Sequence, residues 1–272
     1  MAAIRVEGLE KSYGSVDAVD GMRFAVERGE LFGFLGPNGA GKTTTIRALT
    51  GQIVPDAGTV EVLGTDPTES PLETRGLVGI LPEQGSPPSF LTPTEYLRFV
   101  GEVRGLEPST VEERTATWAE RLGFERTLET LHADLSRGQQ QKVMIAQAFL
   151  HEPEVVFIDE PLANLDPLVQ ERVKRFLVAY AAEGNAVFAS THNIDVAESI
   201  CTRVGIVADG RIVAERTLAR DVDESADGAT ESDDRGDSAG RNESTEPLLE
   251  TFLERVSEAE ARDLPSIGSG RA

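Results

Sequence analysis

The chain has 272 residues, 39% of them hydrophobic, which is enough for one substantial core and a small additional lobe. Its formal net charge of −21 excludes non-specific nucleic-acid binding, because such binding depends on a basic surface. The single cysteine, Cys201, excludes an internal disulfide, and no apolar run approaches the roughly 18 residues of a membrane span. We therefore expect a protein of the reducing cytoplasm that binds no nucleic acid.

The acidic residues are not confined to one segment. Residues 221–246 contain ten acidic residues and two arginines, so the rest of the chain still carries a net charge of −13. Only four lysines accompany 22 arginines. This composition is typical of proteins from salt-loving microbes, where salt screens the repulsion between like charges and should raise stability. An ordinary acidic protein with a disordered tail is the alternative.

The first 64 residues alternate between two kinds of predicted strand. Apolar and polar residues alternate over 3–9, 17–29 and 58–64, which predicts an antiparallel sheet with turns at Asp20-Gly21 and Arg28-Gly29. Residues 30–36 are almost continuously apolar, which is typical of a buried strand. This strand continues through a glycine-rich loop into a predicted helix that ends at Gly51.

The middle of the chain changes from strand to helix and back. From Thr94 to His151 the apolar spacing is helical, which predicts a helical subdomain, at about residues 85–150, inserted between strands of a sheet. Two further buried strands, at 154–160 and 185–191, are separated by a predicted helix from Leu168 to Ala182. This order predicts a parallel sheet with crossover helices.

The end of the chain has a different composition. Residues 221–246 show no periodicity and few apolar side chains, which predicts a disordered acidic linker. In residues 247–272, the spacing of Leu249, Phe252, Leu253 and Val256 predicts one amphipathic helix, followed by a tail.

The loop GPNGAGKTT, residues 36–44, matches the pattern G-x-x-x-x-G-K-[ST]; we call it the glycine loop. In this pattern backbone N–H groups surround phosphates, the lysine reaches the terminal phosphates and the hydroxyl binds Mg²⁺. Its place after a buried strand and before a helix argues against a chance match. The predicted nucleotide ligands are Gly36, Pro37, Asn38, Gly39, Ala40, Gly41, Lys42, Thr43 and Thr44, with Thr43 also a Mg²⁺ ligand.

Two carboxylates follow the buried strand VVFI. Asp159 is expected at the carboxyl edge of the sheet, where it could bind Mg²⁺ beside Thr43. Glu160 comes next and could orient or deprotonate an attacking water, as a general base does. The alternative is a strand that merely ends in acidic turn residues.

A second segment, LSRGQQQK at residues 135–142, has two interpretations. Ser136 and Gln139 fit a capping box at the start of a helix. A cap does not explain Gly138, since glycine weakens a helix and is favoured where another group approaches the backbone. A helix start with these residues can also bind an anion such as a γ-phosphate.

Together with LPEQ (81–84), NLD (164–166) and STH (190–192), these motifs resemble those of the ATP-binding cassette ATPases, in the same order. The resemblance covers residues 1 to about 220. It implies an α/β fold with a P-loop NTPase core, a mostly parallel sheet, an antiparallel β subdomain and an inserted helical subdomain. It also implies a head-to-tail dimer that binds two ATP molecules with Mg²⁺. Each ATP would lie between one chain's glycine loop and the other chain's segment 135–142, which we call the signature segment.

The resemblance assigns roles to four more residues. Tyr13 matches the aromatic residue that stacks on adenine, although strands favour tyrosine in any case. Gln84 matches a glutamine that senses Mg²⁺, water and the membrane partner, and is therefore expected near both the metal and the reacting water. His192 matches a histidine that contacts the γ-phosphate. Asp166 matches an aspartate in the loop between the two active sites.

Four positions stand outside these matches. Arg137 replaces a glycine that is usual in the signature segment and adds a positive charge near the expected phosphate. Asn164 replaces a glycine before Leu-Asp, and asparagine tolerates a left-handed backbone better than most residues. His132 and His151 match no motif and are expected to be solvated.

The resemblance extends to function. The regions 30–51 and 81–99 are similar to the exporter-type branch, whose ATPases drive separate permease subunits. This implies an ATPase, homodimeric or paired with another cassette subunit, that contacts a permease near residues 84–105 on the inner face of the membrane. The alternative is a soluble cassette ATPase of DNA repair or the ribosome; such relatives usually carry a coiled coil, zinc cysteines or tandem cassettes, which this sequence lacks.

Overall fold

The computed structural model describes residues 2–218 and 247–262. The strands are β1 (Ala2–Tyr13), β2 (Val16–Glu27), β3 (Leu31–Leu35), β4 (Ala57–Val62), β5 (Val78–Leu81), β6 (Val155–Asp159), β7 (Ala186–Thr191), β8 (Arg203–Ala208) and β9 (Arg211–Thr217). The α-helices are α1 (Lys42–Leu49), α2 (Pro71–Leu77), α3 (Pro93–Val103), α4 (Pro108–Leu122), α5 (Arg137–Phe149), α6 (Pro167–Ala182), α7 (Ile194–Ile200) and α8 (Leu248–Arg262). Short 3₁₀ helices span Glu125–Thr127 and His132–Asp134.

The larger sheet has six strands in the order β5-β6-β7-β3-β8-β9. The first five are parallel to one another, and β9 pairs antiparallel with β8. Strands β3, β6 and β7 are buried along their whole length, as their continuous apolar sequences predict. The predicted fold class, with a mostly parallel sheet, is therefore confirmed.

The smaller sheet is antiparallel, in the order β2-β1-β4, as predicted. The turn predicted at Asp20-Gly21 is wrong, because both residues lie inside β2. Gly21 has a positive φ of 65°, and the β1–β2 pairing shifts register between Leu9 and Lys11, which pair with Met22 and Val19. A bulge in a long strand therefore produced the sequence signal of a turn.

The two sheets share one layer of aromatic side chains. Phe24 of β2 lies 5.7 Å, centroid to centroid, from each of Phe32, Phe34 and Phe188 in the larger sheet. All four rings are buried. This packing holds the antiparallel sheet against one face of the parallel sheet.

Helices α3, α4 and α5 lie between β5 and β6 in the chain and form the predicted helical insertion. Their apolar faces join the core on the side of the larger sheet opposite the phenylalanine layer, through residues such as Leu97, Trp118 and Phe149. The signature segment includes the start of α5, and α5 ends six residues before β6.

The terminal helix α8 forms, but the predicted apolar face is partly wrong. Leu249 and Leu253 are 48% and 55% exposed, whereas Leu248 is buried and Phe252 and Val256 pack against the core. The helix packs on β8, β9 and α7 of its own chain, so its buried face is rotated from the predicted one. The linker prediction, at 221–246, lies outside the described residues. No helix in the described part of the chain is both long and apolar enough to cross a membrane.

The two unmatched histidines are not solvated, and that prediction is wrong. His132 is completely buried, and the Nδ1 atom of His151 is buried without a hydrogen-bond partner. The His151 Nε2 atom lies 2.8 Å from an Arg104 nitrogen, which can only donate, and 3.2 Å from the Val78 carbonyl oxygen, which can only accept. Burial, reinforced by the charge of Arg104, lowers the pKa of His151 to about 4.

This lowered pKa predicts acid sensitivity that is specific to His151. The unfolded chain takes up the proton near pH 6.5 and the folded chain only near pH 4, so the stabilisation is complete above the unfolded pKa and is lost as pH falls. We expect the free energy of unfolding to fall by about 1 to 2 kcal/mol from pH 7 to pH 5 through this group. Urea titrations of the wild type and His151→Gln, which keeps an acceptor for Arg104, measure it. Equal pH dependence in both proteins would contradict the assignment.

Candidate functional site

The glycine loop connects β3 to α1, and two of its glycines have clear structural reasons. A Cβ atom at Gly36 would lie 2.4 Å from the Val207 carbonyl oxygen, and one at Gly41 would lie 2.2 Å from that of Ala18. Gly41 also has a positive φ of 98°. The loop can therefore be this tight only with glycine at both positions.

Lys42 begins α1 and points back into the glycine loop. Its Nζ atom donates hydrogen bonds to the carbonyl oxygens of Gly36 at 2.8 Å and Pro37 at 3.0 Å. Burial lowers the pKa of Lys42, and the negative charges of Glu160, Asp159 and Glu83 oppose this shift. A buried ammonium among these groups is suited to bind a phosphate anion.

Thr43 and Asp159 meet at the carboxyl end of β6, as predicted. The Thr43 hydroxyl donates to Asp159 Oδ2 at 2.8 Å, and the Ser190 hydroxyl donates to the other carboxylate oxygen. Asp159 is buried. The ends of β6 and β7 therefore orient the Asp159 carboxylate beside the Thr43 hydroxyl.

This donor set fits Mg²⁺. Mg²⁺ is usually bound by one or two protein oxygens together with substrate phosphates, rather than by a cage of protein ligands. Thr43 and Asp159 provide such hard oxygen atoms. Among residues 2–218 and 247–262, no group of three or more His, Cys, Asp or Glu side chains is placed to hold a metal.

Glu160 is held by the end of the neighbouring strand β7. Its carboxylate accepts hydrogen bonds from the Thr191 hydroxyl at 3.0 Å, the His192 backbone N–H at 3.0 Å and His192 Nδ1 at 2.6 Å. The Glu160 backbone has a positive φ of 58°, and its N–H donates to the Ser190 carbonyl. Such a φ is uncommon outside glycine and turns the side chain away from the strand direction. Glu160 and His192, which were predicted separately as site residues, are therefore in direct contact.

Lys42, Thr43, Asp159 and Glu160 line a cleft of about 320 Å³, whereas His192 does not line it. The lining residues are Ala18, Asn38, Gly39, Gly41, Lys42, Thr43, Thr44, Glu83, Asp159 and Glu160. Sequence reasoning missed Glu83, which lines the cleft, and selected its neighbour Gln84, which is exposed and does not line it. It also missed Ser190 and Thr191; their signal was a pair of hydroxyls at the carboxyl end of a buried strand.

Tyr13 lies at the end of β1 and does not line the cleft. Its side chain is 48% exposed, and the Lys11 ammonium lies 5.7 Å from the ring centroid. An exposed aromatic ring such as that of Tyr13 can stack on a planar base. The structure thus leaves Tyr13 accessible without joining it to the phosphate site.

The signature segment is also outside the cleft. Ser136 and Gln139 form both hydrogen bonds of a capping box at the start of α5. A Cβ atom at Gly138 would lie 2.8 Å from the Asn164 carbonyl oxygen, so a contact within the chain already requires glycine there. The group that approaches the Gly138 backbone is therefore a carbonyl of the same chain. Ser136 and Arg137 remain exposed at this helix start.

Asp166 connects the signature segment to the loop after Glu160. Its carboxylate accepts from the Val169 N–H and caps α6, and it lies 3.9 Å from the Lys142 ammonium of α5. Asn164 has a positive φ of 61°, the conformation expected of asparagine in place of glycine. The loop 160–166 therefore runs from Glu160 to a contact with α5, the helix that begins in the signature segment.

Comparisons with known proteins identify the family. A family model described as ABC transporter matches residues 19–163. Nod factor export ATP-binding protein I of Ralstonia nicotianae is 34% identical over 78% of this chain and 66% of its own length. The daunorubicin/doxorubicin resistance protein DrrA of Streptomyces peucetius is 34% identical over 79% of this chain and 65% of its own. The chain thus spans about two-thirds of the length of these relatives.

Solved structures give the same result. A structure described as the ATP binding subunit of an ABC transporter superposes with a TM-score of 0.75 at 33% identity, over 79% of this chain and 90% of that one. An ATP-binding cassette dimer in a post-hydrolysis state with ADP and Pi has a TM-score of 0.74 at 22% identity, over 80% of this chain, and shows the shared fold. The chain therefore belongs to the ATP-binding cassette family of ABC transporters.

Proposed function

We propose that this chain is the ATP-hydrolysing subunit of a membrane exporter. The observation that carries the proposal is the convergence of Lys42, Thr43, Asp159 and Glu160 on one cleft. The names of the relatives, which are export and drug-resistance ATP-binding proteins, favour an exporter over a soluble ATPase of DNA repair or the ribosome. The acidic, lysine-poor composition remains the basis for proposing a salty cytoplasm.

In the proposed reaction, Lys42 and the backbone N–H groups of the glycine loop bind the β- and γ-phosphates. Thr43 and Asp159 would hold Mg²⁺, which when bound neutralises charge that develops on the phosphates. Glu160 accepts a hydrogen bond from the attacking water and orients it, while His192 contacts the γ-phosphate. We assign Gln84 to the metal and water as its exposed loop closes, and Tyr13 to adenine stacking.

We further propose that the site is completed by a second copy of the chain or a related cassette subunit. Ser136, Gly138 and Gln139 at the start of α5 would bind the γ-phosphate held by the other chain's glycine loop, with Asp166 linking the two sites. The exposed start of α5 supports this role, since the positive end of a helix dipole attracts anions.

The hydrolysis proposal predicts metal-dependent turnover by the purified full chain. We expect release of phosphate from ATP only with Mg²⁺ present, and loss of all turnover when EDTA removes it, because Thr43 and Asp159 alone do not neutralise the phosphates. A coupled phosphate-release assay measures this. Equal rates with and without EDTA would contradict the proposed site.

The exporter proposal also predicts a membrane-facing surface on α3, near residues 84–105. Phe99 and Val103 lie one turn apart, hence on one face, and are 58% and 69% exposed. In cells that make the native permease, Phe99→Ser with Val103→Ser should shift the chain from the membrane fraction to the soluble fraction. Val54→Ser, which changes another side chain that is 62% exposed, is the control and should not. Retention of the double variant at the membrane would contradict a permease contact on α3.

A further inference from the structure

Two loops of the helical insertion are joined through His132. The first, residues 82–92, follows β5 and carries Gln84 and the exposed Phe90. The second is the turn at 132–135, directly before Ser136. The His132 backbone N–H and its Nδ1 atom lie 2.9 and 3.0 Å from the Leu91 carbonyl oxygen. The Ala133 N–H donates to the Ser89 carbonyl at 3.1 Å, so the two loops share three contacts.

The chemistry of this contact fixes the state of the ring. A carbonyl oxygen can only accept, so Nδ1 of His132 carries the proton and donates it to Leu91. Nε2 is then an acceptor, and it is buried without a hydrogen-bond partner. Burial also lowers the pKa of His132 and keeps the ring neutral. A phenylalanine ring would fill similar space but would lose the Nδ1 donor to Leu91, so the side-chain contact between the two loops requires histidine or another donor here.

The turn at 132–135 is also hydrogen-bonded by a side chain of α5. The Gln140 side-chain amide donates to the carbonyl oxygens of His132 at 2.9 Å and Leu135 at 3.2 Å. The edge of the Tyr96 ring packs against the His132 ring, with 5.8 Å between centroids. His132 therefore lies between the 82–92 loop on one side and the first turns of α5 on the other.

We propose that His132 is a positioning residue that fixes Ser136 relative to the Gln84 loop, so that movement of this loop moves the signature segment. The proposal rests on the proposed function, because it assigns His132 an effect on ATP held by the other chain. It does not give His132 any contact with nucleotide. Its own Gln84 loop keeps the backbone hydrogen bond from His132 to Leu91, so the larger effect should appear at the partner's glycine loop.

The test uses tagged dimers that contain one Lys42→Ala chain. In such a dimer the only intact glycine loop belongs to the other chain, and the signature segment that serves it belongs to the Lys42→Ala chain. We place His132→Phe, which lacks the Nδ1 donor, on either chain in turn. On the Lys42→Ala chain it should lower kcat, or MgATP-dependent dimerisation if hydrolysis needs both sites, by roughly threefold to tenfold. On the other chain it should change either value by less than about twofold.

Two controls separate positioning from damage to the fold. His132→Asn keeps an N–H donor near the Nδ1 position and should restore activity to within about twofold of the parent dimer. His132→Phe should keep its melting temperature within about 3 °C, since Leu91 retains the backbone donor. An equal loss from either chain, or no loss from either, would overturn the proposal. A parent dimer that neither hydrolyses ATP nor assembles with it would overturn the shared site itself and this proposal with it.

Discussion

Glu160→Gln is expected to lower the turnover number for ATP by about 100-fold to 10,000-fold, the contribution of a positioned general base. The amide is nearly the same size, but it is neutral and cannot take a proton from water. It also offers one acceptor oxygen, where the carboxylate now accepts from Thr191 and twice from His192. Binding of MgATP should change little, because Lys42, Thr43 and Asp159 are untouched.

Single-turnover phosphate release and equilibrium binding of a fluorescent ATP analogue measure the two effects separately. Glu61→Gln is the matched control, since Glu61 is an exposed carboxylate on β4 of the antiparallel sheet. It should match the wild type in both assays. Wild-type turnover by Glu160→Gln would remove Glu160 from the base role, and loss of binding together with turnover would indicate a collapsed site instead.

Much of the phosphate site could be predicted because its geometry follows from local rules. Parallel strands end at the same edge of the sheet, so residues 36–44 after β3 and Asp159 at the end of β6 are both expected there. The tight loop requires glycine at Gly36 and Gly41, and this requirement is visible in the sequence. At the glycine loop and at Asp159, the position of each residue relative to the end of its strand is enough to predict its place in the site.

The rest depended on contacts between distant segments. The roles of Thr191 and Ser190 follow from the register of β7 beside β6, which a single strand does not reveal. Strand β5 was missed because its four residues are too short to show a period, and the apolar face of α8 was misplaced because packing on β8 and β9 decided it. The burial of His132 could not be predicted, because it depends on contact with the 82–92 loop, which is about 40 residues earlier in the chain.

The shared site makes a prediction that concerns two molecules. Lys42→Ala damages only the glycine loop, and Ser136→Asp damages only the signature segment. Ser136 is a better choice than Gly138, where any side chain would meet the Asn164 carbonyl oxygen. Aspartate is a good N-cap, so α5 should still begin at Arg137, but its charge would repel a γ-phosphate. Ser136→Asn, a neutral cap of the same shape, is the control and should remain active.

The most direct measurement is therefore ATP hydrolysis by a mixture of the two variants. Each alone should be inactive, because both sites of a homodimer carry the same defect. In an equal mixture, random pairing gives about half mixed dimers, each with one complete site, so roughly a quarter of wild-type turnover should return. ATP-dependent dimerisation, followed by light scattering, reports the same rescue if hydrolysis requires both sites. If neither turnover nor dimerisation rises above the separate variants, the glycine loop and the signature segment do not meet between chains, and the account is contradicted.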